Sequence, residues 1–314
     1  MVSLTKFMTS VIEDLKQEGR YSTAYIYNYA LSAFTACQGG GEIFFNALTR
    51  RSLRRFQQYL EDHQRSYNTI STYIRALRAI YNRAVDRELI PGEMRLFSGL
   101  KTSIASERKL ALTAQQMNTL LCEPKEKEMP QPIQHAQDIL KLMLHLQGMP
   151  FVDLAHLRKG DLKGDMLICY RQKTGTELHI KMMPEAMRLI DRYRNTDERS
   201  HYLLRFLSGH FTGEQAFKEY RDTLRKLNMS LGKLAHIQNM KGTRISSYTA
   251  RHTWATLAKY CQIPEEVISE GLGHSSLEVT RTYLKSFEWQ ELFKANNAII
   301  NYIKTGQKVN WGMA

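Results

Sequence analysis

Residues 246–285 read SSYTARHTWATLAKYCQIPEEVISEGLGHSSLEVTRTYLK. Arg251 and His252 fall early in a helical pattern, and Gly273-His274 stands at a glycine turn that ends a second helix. Tyr283 follows nine residues after His274. A lone Gly-His or a lone tyrosine carries no information. The ordered set of a guanidinium, two imidazoles and a phenol at fixed spacing does.

The chain around this stretch has 314 residues, room for about two domains of ordinary size. Its 44 Lys+Arg against 31 Asp+Glu leave a net charge of +13, a surplus that points to a polyanionic partner. At 43% apolar and 24% charged residues the composition is that of a globular protein. No apolar run is long enough for a membrane span, and acidic residues interrupt the N-terminal segment where a secretory signal needs its apolar stretch. Four scattered cysteines (Cys37, Cys122, Cys169, Cys261) form no CxxC pair. A cytoplasmic protein is expected. No GxxxxGK[ST] loop, HExxH or ligand cluster occurs, so neither a cofactor nor a metal is expected.

The first hundred residues read as helices. One is expected over 22–35 behind a Ser22 cap and a second from Thr49. The third, over 68–87, buries Ile70, Tyr73, Ile74, Leu77, Ile80, Tyr81 and Ala84 as one stripe. Its other side carries Ser71, Arg75, Arg78 and Asn82. Between residues 50 and 83 there are eight arginines, Arg50 and Arg54 among them, and only two acids. Short polar groups beside arginines on neighbouring helices suit a surface that touches phosphates and base edges. Residues 98–109 read as a basic linker between domains at about 1–105 and 106–314. Helices are then expected at 113–122 and 133–148, and a β-hairpin over 165–183 with Lys173–Thr176 as its turn. Further helices are expected at 184–195, 214–229, 248–260, 264–271, 276–284 and 288–303, the last mostly apolar. The fold class is mainly α with a small β-sheet.

Arg251-His252-Thr253, Leu272-Gly273-His274 and Tyr283 together resemble the C-terminal half of the tyrosine recombinase, or phage integrase, family. Its pattern there is H-x-x-R-H-T, then L-G-H, then a tyrosine nine positions on. The resemblance implies an N-terminal SAM-like core-binding domain and a mixed α/β catalytic domain. It implies metal- and ATP-independent strand transfer on double-stranded DNA through a 3′-phosphotyrosyl link and a Holliday junction. Tyr283 is then the nucleophile, Arg251 and His274 hold the phosphate, Lys173 is the general acid for the leaving oxygen, and His252 assists. The partners implied are a specific DNA site, three further copies of the chain on paired sites, joined through the terminal helix, and accessory DNA-bending proteins.

Two positions depart from the family. Tyr248 replaces the first histidine of H-x-x-R. Pro150 stands where a first arginine belongs, in Gln147-Gly148-Met149-Pro150-Phe151-Val152-Asp153-Leu154, while Asp153 keeps the acidic position. Recombinases of Bacteroides-type mobile elements are similar here, with G-M-x-F-x-D-L and R-x-K-T-G segments. Arg171 is the expected replacement: two residues before Lys173, it shares a face with it in an extended strand. Arg158 is the runner-up. The rival readings are a type IB topoisomerase-like relaxation enzyme and a DNA-binding regulator with weak catalysis.

Overall fold

Three hydroxyl caps set where helices begin in the first third of the chain. Ser3 accepts from Lys6 N–H at the start of α1 (Leu4–Gln17), Thr49 from Ser52 before α3 (Arg50–Asp62), and Ser66 from Thr69 before α4 (Tyr67–Asp86). Helix α2 (Tyr21–Cys37) differs from expectation: Ser22 lies inside its first turn, and the cap position is Arg20. The end of α1 explains this, because Arg20 N–H bonds back to Leu15 C=O at 2.8 Å and leaves the chain ready to restart at Tyr21.

The computed structural model describes residues 1–103, 111–122, 129–240, 242–274 and 276–284. Two compact units divide the chain, Met1–Glu107 and Arg108–Ala314. The first unit buries Leu4, Met8, Phe34, Phe56, Ile74 and Leu77 among its four helices. Phe34 and Phe56 meet edge-to-face with centroids 5.2 Å apart, which fixes α2 against α3.

The second unit is built around α6 (Gln131–His145), whose Leu140, Leu142 and Met143 lie in the main core with Leu154, Leu203 and Leu231. Before it comes α5 (Ala114–Leu121), and after it the short α7 (Phe151–Ala155), which no periodicity announces. Strands β1 (Leu162–Lys163), β2 (Met166–Tyr170) and β3 (Glu177–Lys181) form an antiparallel sheet in that order. Leu167 pairs with Ile180 and Cys169 with Leu178, so all four point into the core. Helix α8 (Pro184–Tyr193) begins with proline in its first turn. Helix α9 spans Gly213–Ile237, well past the expected end at 229, with Leu231 and Leu234 in the core. The chain closes with α10 (Ser247–Tyr260), α11 (Glu265–Leu272) and α12 (Leu277–Arg281).

Tyr283 lies beyond α12 rather than inside a helix over 276–284. Thr282, Tyr283 and Leu284 donate to the carbonyls three residues back, so the chain tightens into a turn there. The apolar helix expected at 288–303 lies outside the described residues.

Candidate active site

The C-terminal end of α11 organises the site. Gly273 follows its last residue with φ +63° and ψ 42°, and Gly273 N–H and His274 N–H close the helix onto Glu270 and Ser269. A Cβ at Gly273 would lie 2.9 Å from Leu178 Cδ2 and 3.2 Å from Arg171 Cγ, so only glycine fits. The Leu272 carbonyl has no acceptor role within the helix and carries the negative end of its dipole. Two guanidiniums use it: Arg251 Nη2 donates at 2.6 Å, and Arg171 Nη1 donates to the same oxygen.

Arg251 is 2% exposed on α10. It also donates to Gly148 C=O at 3.2 Å and to His274 Nε2 at 2.8 Å. The backbone of Gly148 comes this close because it lacks a side chain: at φ +68°, a Cβ would sit 3.0 Å from Arg251 Cα. Among the described residues no carboxylate pairs with Arg251. Burial, and then the neighbouring Arg171 charge, lower its pKa. A buried cation held only by dipoles favours an incoming anion.

His274 accepts from Arg251 through Nε2, so its proton is on Nδ1, which donates to Thr280 Oγ1 at 2.8 Å. Burial first, then Arg251 and Arg171, push its pKa down to about 4, and the ring is neutral at pH 7. The Tyr283 ring stacks on His274 with centroids 5.0 Å apart and lies 4.9 Å from His252 on its other neighbour. Arg251 Cζ is 5.3 Å from the Tyr283 ring centroid. Leu284 anchors the segment by packing with Ala255, Ile268 and Leu272. Tyr248, half-exposed in the first turn of α10, lies 6.1 Å from the His252 ring. Partial desolvation, then Tyr283, raise its phenol pKa. Thr253 is structural: its Oγ1 accepts from Leu112 N–H at 3.0 Å.

Arg171 reaches this cluster by a route different from the expected one. The strand ends at Tyr170, and Arg171–Thr176 form a turn closed by Arg171 N–H to Thr176 C=O at 2.8 Å. The shared face of an extended strand is therefore absent: Arg171 turns inward and is buried, while Lys173 is exposed at the turn. Asp153 of α7 holds Arg171 through an ion pair at 2.6 Å to Nε and accepts from Gln172 N–H at 2.8 Å. One buried carboxylate thus fixes both the arginine and the start of the Lys173 turn. Pro150 is the residue before α7 and offers no charge. Arg158 is exposed on the turn before Lys159–Asp161, its N–H bonded to Asp161 at 2.8 Å.

The first unit carries the other candidates. Arg50 and Arg54 on α3 and Arg75, Arg78 and Asn82 on α4 are exposed. Arg50 also donates to Met94 C=O at 3.0 Å. Ser71 does not join this surface: it is 1% exposed, turned into the core beside Ile70 and Ile74. It follows Ile70 at the edge of the apolar stripe of α4, on the inner side of the helix.

Comparison with known proteins follows the same division. Residues 3–95 match the phage integrase SAM-like domain and residues 111–290 the phage integrase family. The chain is similar in structure to a Tn1549 transposon integrase in complex with circular-intermediate DNA, with TM-score 0.68 and 16% identity over 95% of this chain and 99% of that one. It is similar to a lambda integrase dimer bound to a COC′ core site, with TM-score 0.66 and 14% identity over 90% and 95%. A lambda integrase tetramer bound to a Holliday junction gives TM-score 0.65 and 15% identity over 92% and 79%. No curated protein sequence matches.

Proposed function

Starting from the fact that this chain belongs to the phage integrase family of tyrosine recombinases, we propose that it cuts and rejoins duplex DNA at specific sites with Tyr283 as nucleophile. The phenol oxygen attacks the phosphorus and the bond to the 5′ oxygen breaks, leaving a 3′-phosphotyrosyl link and a free 5′-hydroxyl. The link keeps the ester energy, so rejoining by a second 5′-hydroxyl needs no ATP. Arg251 and Arg171 offset the charge that grows on the phosphate oxygens. His274 adds a hydrogen bond once the phosphate displaces Arg251 from Nε2 and that nitrogen takes up the proton the Tyr283 phenol loses as it attacks. Lys173 delivers a proton to the leaving oxygen, and Tyr248 and His252 flank the nucleophile.

The observation that carries this reading is the meeting of two buried guanidiniums and a neutral imidazole beside the Tyr283 ring. In that arrangement Arg171 supplies the cation that Pro150 cannot. The exposed residues Arg50, Arg54, Arg75, Arg78 and Asn82 grip the duplex in the first unit. Four protomers on two sites, exchanging strands through a Holliday junction, complete the proposal, by likeness to the lambda integrase tetramer. No helix among the described residues is long and apolar enough to cross a membrane, and a DNA substrate sets the working compartment as the cytoplasm.

The test is a nicked suicide duplex carrying the junction mapped from the flanking repeats in the host genome. The protein should form a covalent adduct that Tyr283→Phe cannot form. No adduct from the unaltered protein overturns the reading and leaves a DNA-binding regulator, the rival that Pro150 and Tyr248 favour.

A further inference from the structure

Thr280 ties the nucleophile to the imidazole beside it. It is fully buried in α12, where valine has nearly the same shape, so a hydroxyl at this position calls for a partner. That partner is His274, whose Nδ1 lies 2.8 Å from Thr280 Oγ1. Further along, Tyr283 N–H donates to the Thr280 carbonyl at 2.9 Å. One residue therefore holds the ring through its side chain and the tyrosine through its backbone.

The two nitrogens of His274 are held separately: Nε2 accepts from Arg251, and Nδ1 donates to Thr280. Arg251 has other acceptors in the Leu272 and Gly148 carbonyls, and it is the group that a phosphate draws away. Once it leaves Nε2, the Thr280 bond is what keeps the proton on Nδ1. The opposite tautomer would carry its proton on Nε2, and that nitrogen could then take none from a phenol.

We propose that Thr280 is a positioning residue, whose hydroxyl fixes His274 in the Nδ1–H tautomer and so leaves Nε2 free to take the Tyr283 phenol proton. The destination of that proton rests on the function proposed above. After the transfer both ring nitrogens donate, and Thr280 accepts from an imidazolium, a stronger bond than one from the neutral ring. In rejoining, the tyrosine oxygen leaves phosphorus and regains the proton from Nε2.

Side chain and backbone can be separated. Thr280→Val keeps the carbonyl that Tyr283 N–H uses. Leu284 still packs with Ala255, Ile268 and Leu272, and Thr256 Oγ1 still donates to Tyr283 C=O at 3.4 Å. The tyrosine thus stays in place when the hydroxyl goes.

The test joins two measurements on the full chain. NMR of protein carrying nitrogen-labelled histidine reads the His274 tautomer without DNA. The unaltered chain and Thr280→Ser should show the Nδ1–H form, and Thr280→Val a mixture of tautomers. Single-turnover cleavage of the suicide duplex should be at least ~10-fold slower in Thr280→Val at unchanged DNA affinity, the worth of one hydrogen bond to a ring that becomes charged. Thr280→Ala removes the same hydroxyl with less bulk and should behave alike, while Thr280→Ser should restore the rate. Thr282→Val removes an exposed hydroxyl that donates to Val279 C=O and should leave cleavage unchanged. In a His274→Gln background Thr280→Val should add little, because its effect passes through the ring. A single tautomer in Thr280→Val, or a loss of the same size without His274, overturns the proposal. A tautomer change in a chain whose unaltered form never makes an adduct supports the positioning of the ring and removes the catalytic reading instead.

Discussion

Asp153→Asn tests whether Arg171, proposed to replace the missing arginine, is held where the structure shows it. Both partners of the Asp153–Arg171 pair are withdrawn from water, with side chains 2% and 9% exposed. Removing one member of a buried pair costs ~3–5 kcal/mol, chiefly because the remaining charge is left uncompensated. Two features put this site at the lower end. Asparagine still accepts from Gln172 N–H, and Arg171 still donates to the Leu272 carbonyl. A loss of ~3 kcal/mol in a unit of this size lowers its melting temperature by ~6–12 °C. Calorimetry of the full chain should show that shift in the transition of the second unit alone. Single-turnover cleavage should fall with it, because Arg171 is then free to leave the phosphate. Asp153→Leu combined with Arg171→Met separates the two effects: an apolar pair of similar volume recovers most of the stability, and cleavage stays lost. A melting temperature within a degree of the unaltered protein for Asp153→Asn, or cleavage retained in the apolar pair, refutes the reasoning.

The remaining expectations concern the same cluster. The pKa of His274, about 4 in the folded chain, lies below the ~6.5 of an unfolded histidine. The unfolded chain therefore takes up the extra proton in between, so this contribution to stability is complete above pH ~6.5 and is lost as pH falls toward 4. NMR titration of the ring should show the low midpoint, and His274→Gln should remove that part of the pH dependence. Gly273→Ala forces φ +63° on a residue with a Cβ 2.9 Å from Leu178 Cδ2; the urea midpoint should fall by the equivalent of ~2–4 kcal/mol at constant slope. Arg171→Ala should slow cleavage of the suicide duplex by ~10²–10³, the cost of one lost transition-state donor, whereas Arg158→Ala should leave it unchanged.

The ordering of Arg251, His274 and Tyr283 was readable because side-chain identity and spacing are what a sequence records. The hairpin was readable too: Leu167, Cys169, Leu178 and Ile180 alternate with outward residues and all four are buried. What escaped reading is carried by the backbone. The Leu272 and Gly148 carbonyls that hold the two arginines have no letter of their own. Thr280, the partner of His274, is one threonine among many. Asp153 was visible as an acid in its expected place, but its pairing with Arg171 depends on an eighteen-residue excursion through the sheet. Periodicity placed Ser71 on the polar side of α4, yet it lies at the boundary of the stripe, where tertiary packing decides. The extended-strand argument for Arg171 and Lys173 failed because the turn starts at Arg171, two residues earlier than its Thr-Gly signal suggests.

Pro150 shows how the site can lack an arginine on α7 without losing a cation. The segment from Gln147 to Asp153 supplies a carbonyl at Gly148, which holds Arg251, and a carboxylate at Asp153, which holds Arg171. Neither contribution requires a charged side chain at position 150, and proline suits the extended residue before a helix, with φ −63° and ψ 149°. In the proposed reaction the cation comes instead from Arg171, on the hairpin turn that also carries Lys173. The arginine and its acid are thus split between two elements, so their coupling is tertiary. The Asp153 carboxylate fixes both the cation and the turn, through Arg171 Nε and Gln172 N–H. A displacement of the hairpin therefore moves Arg171 and Lys173 together, and phosphate grip and proton delivery should be lost or gained as one.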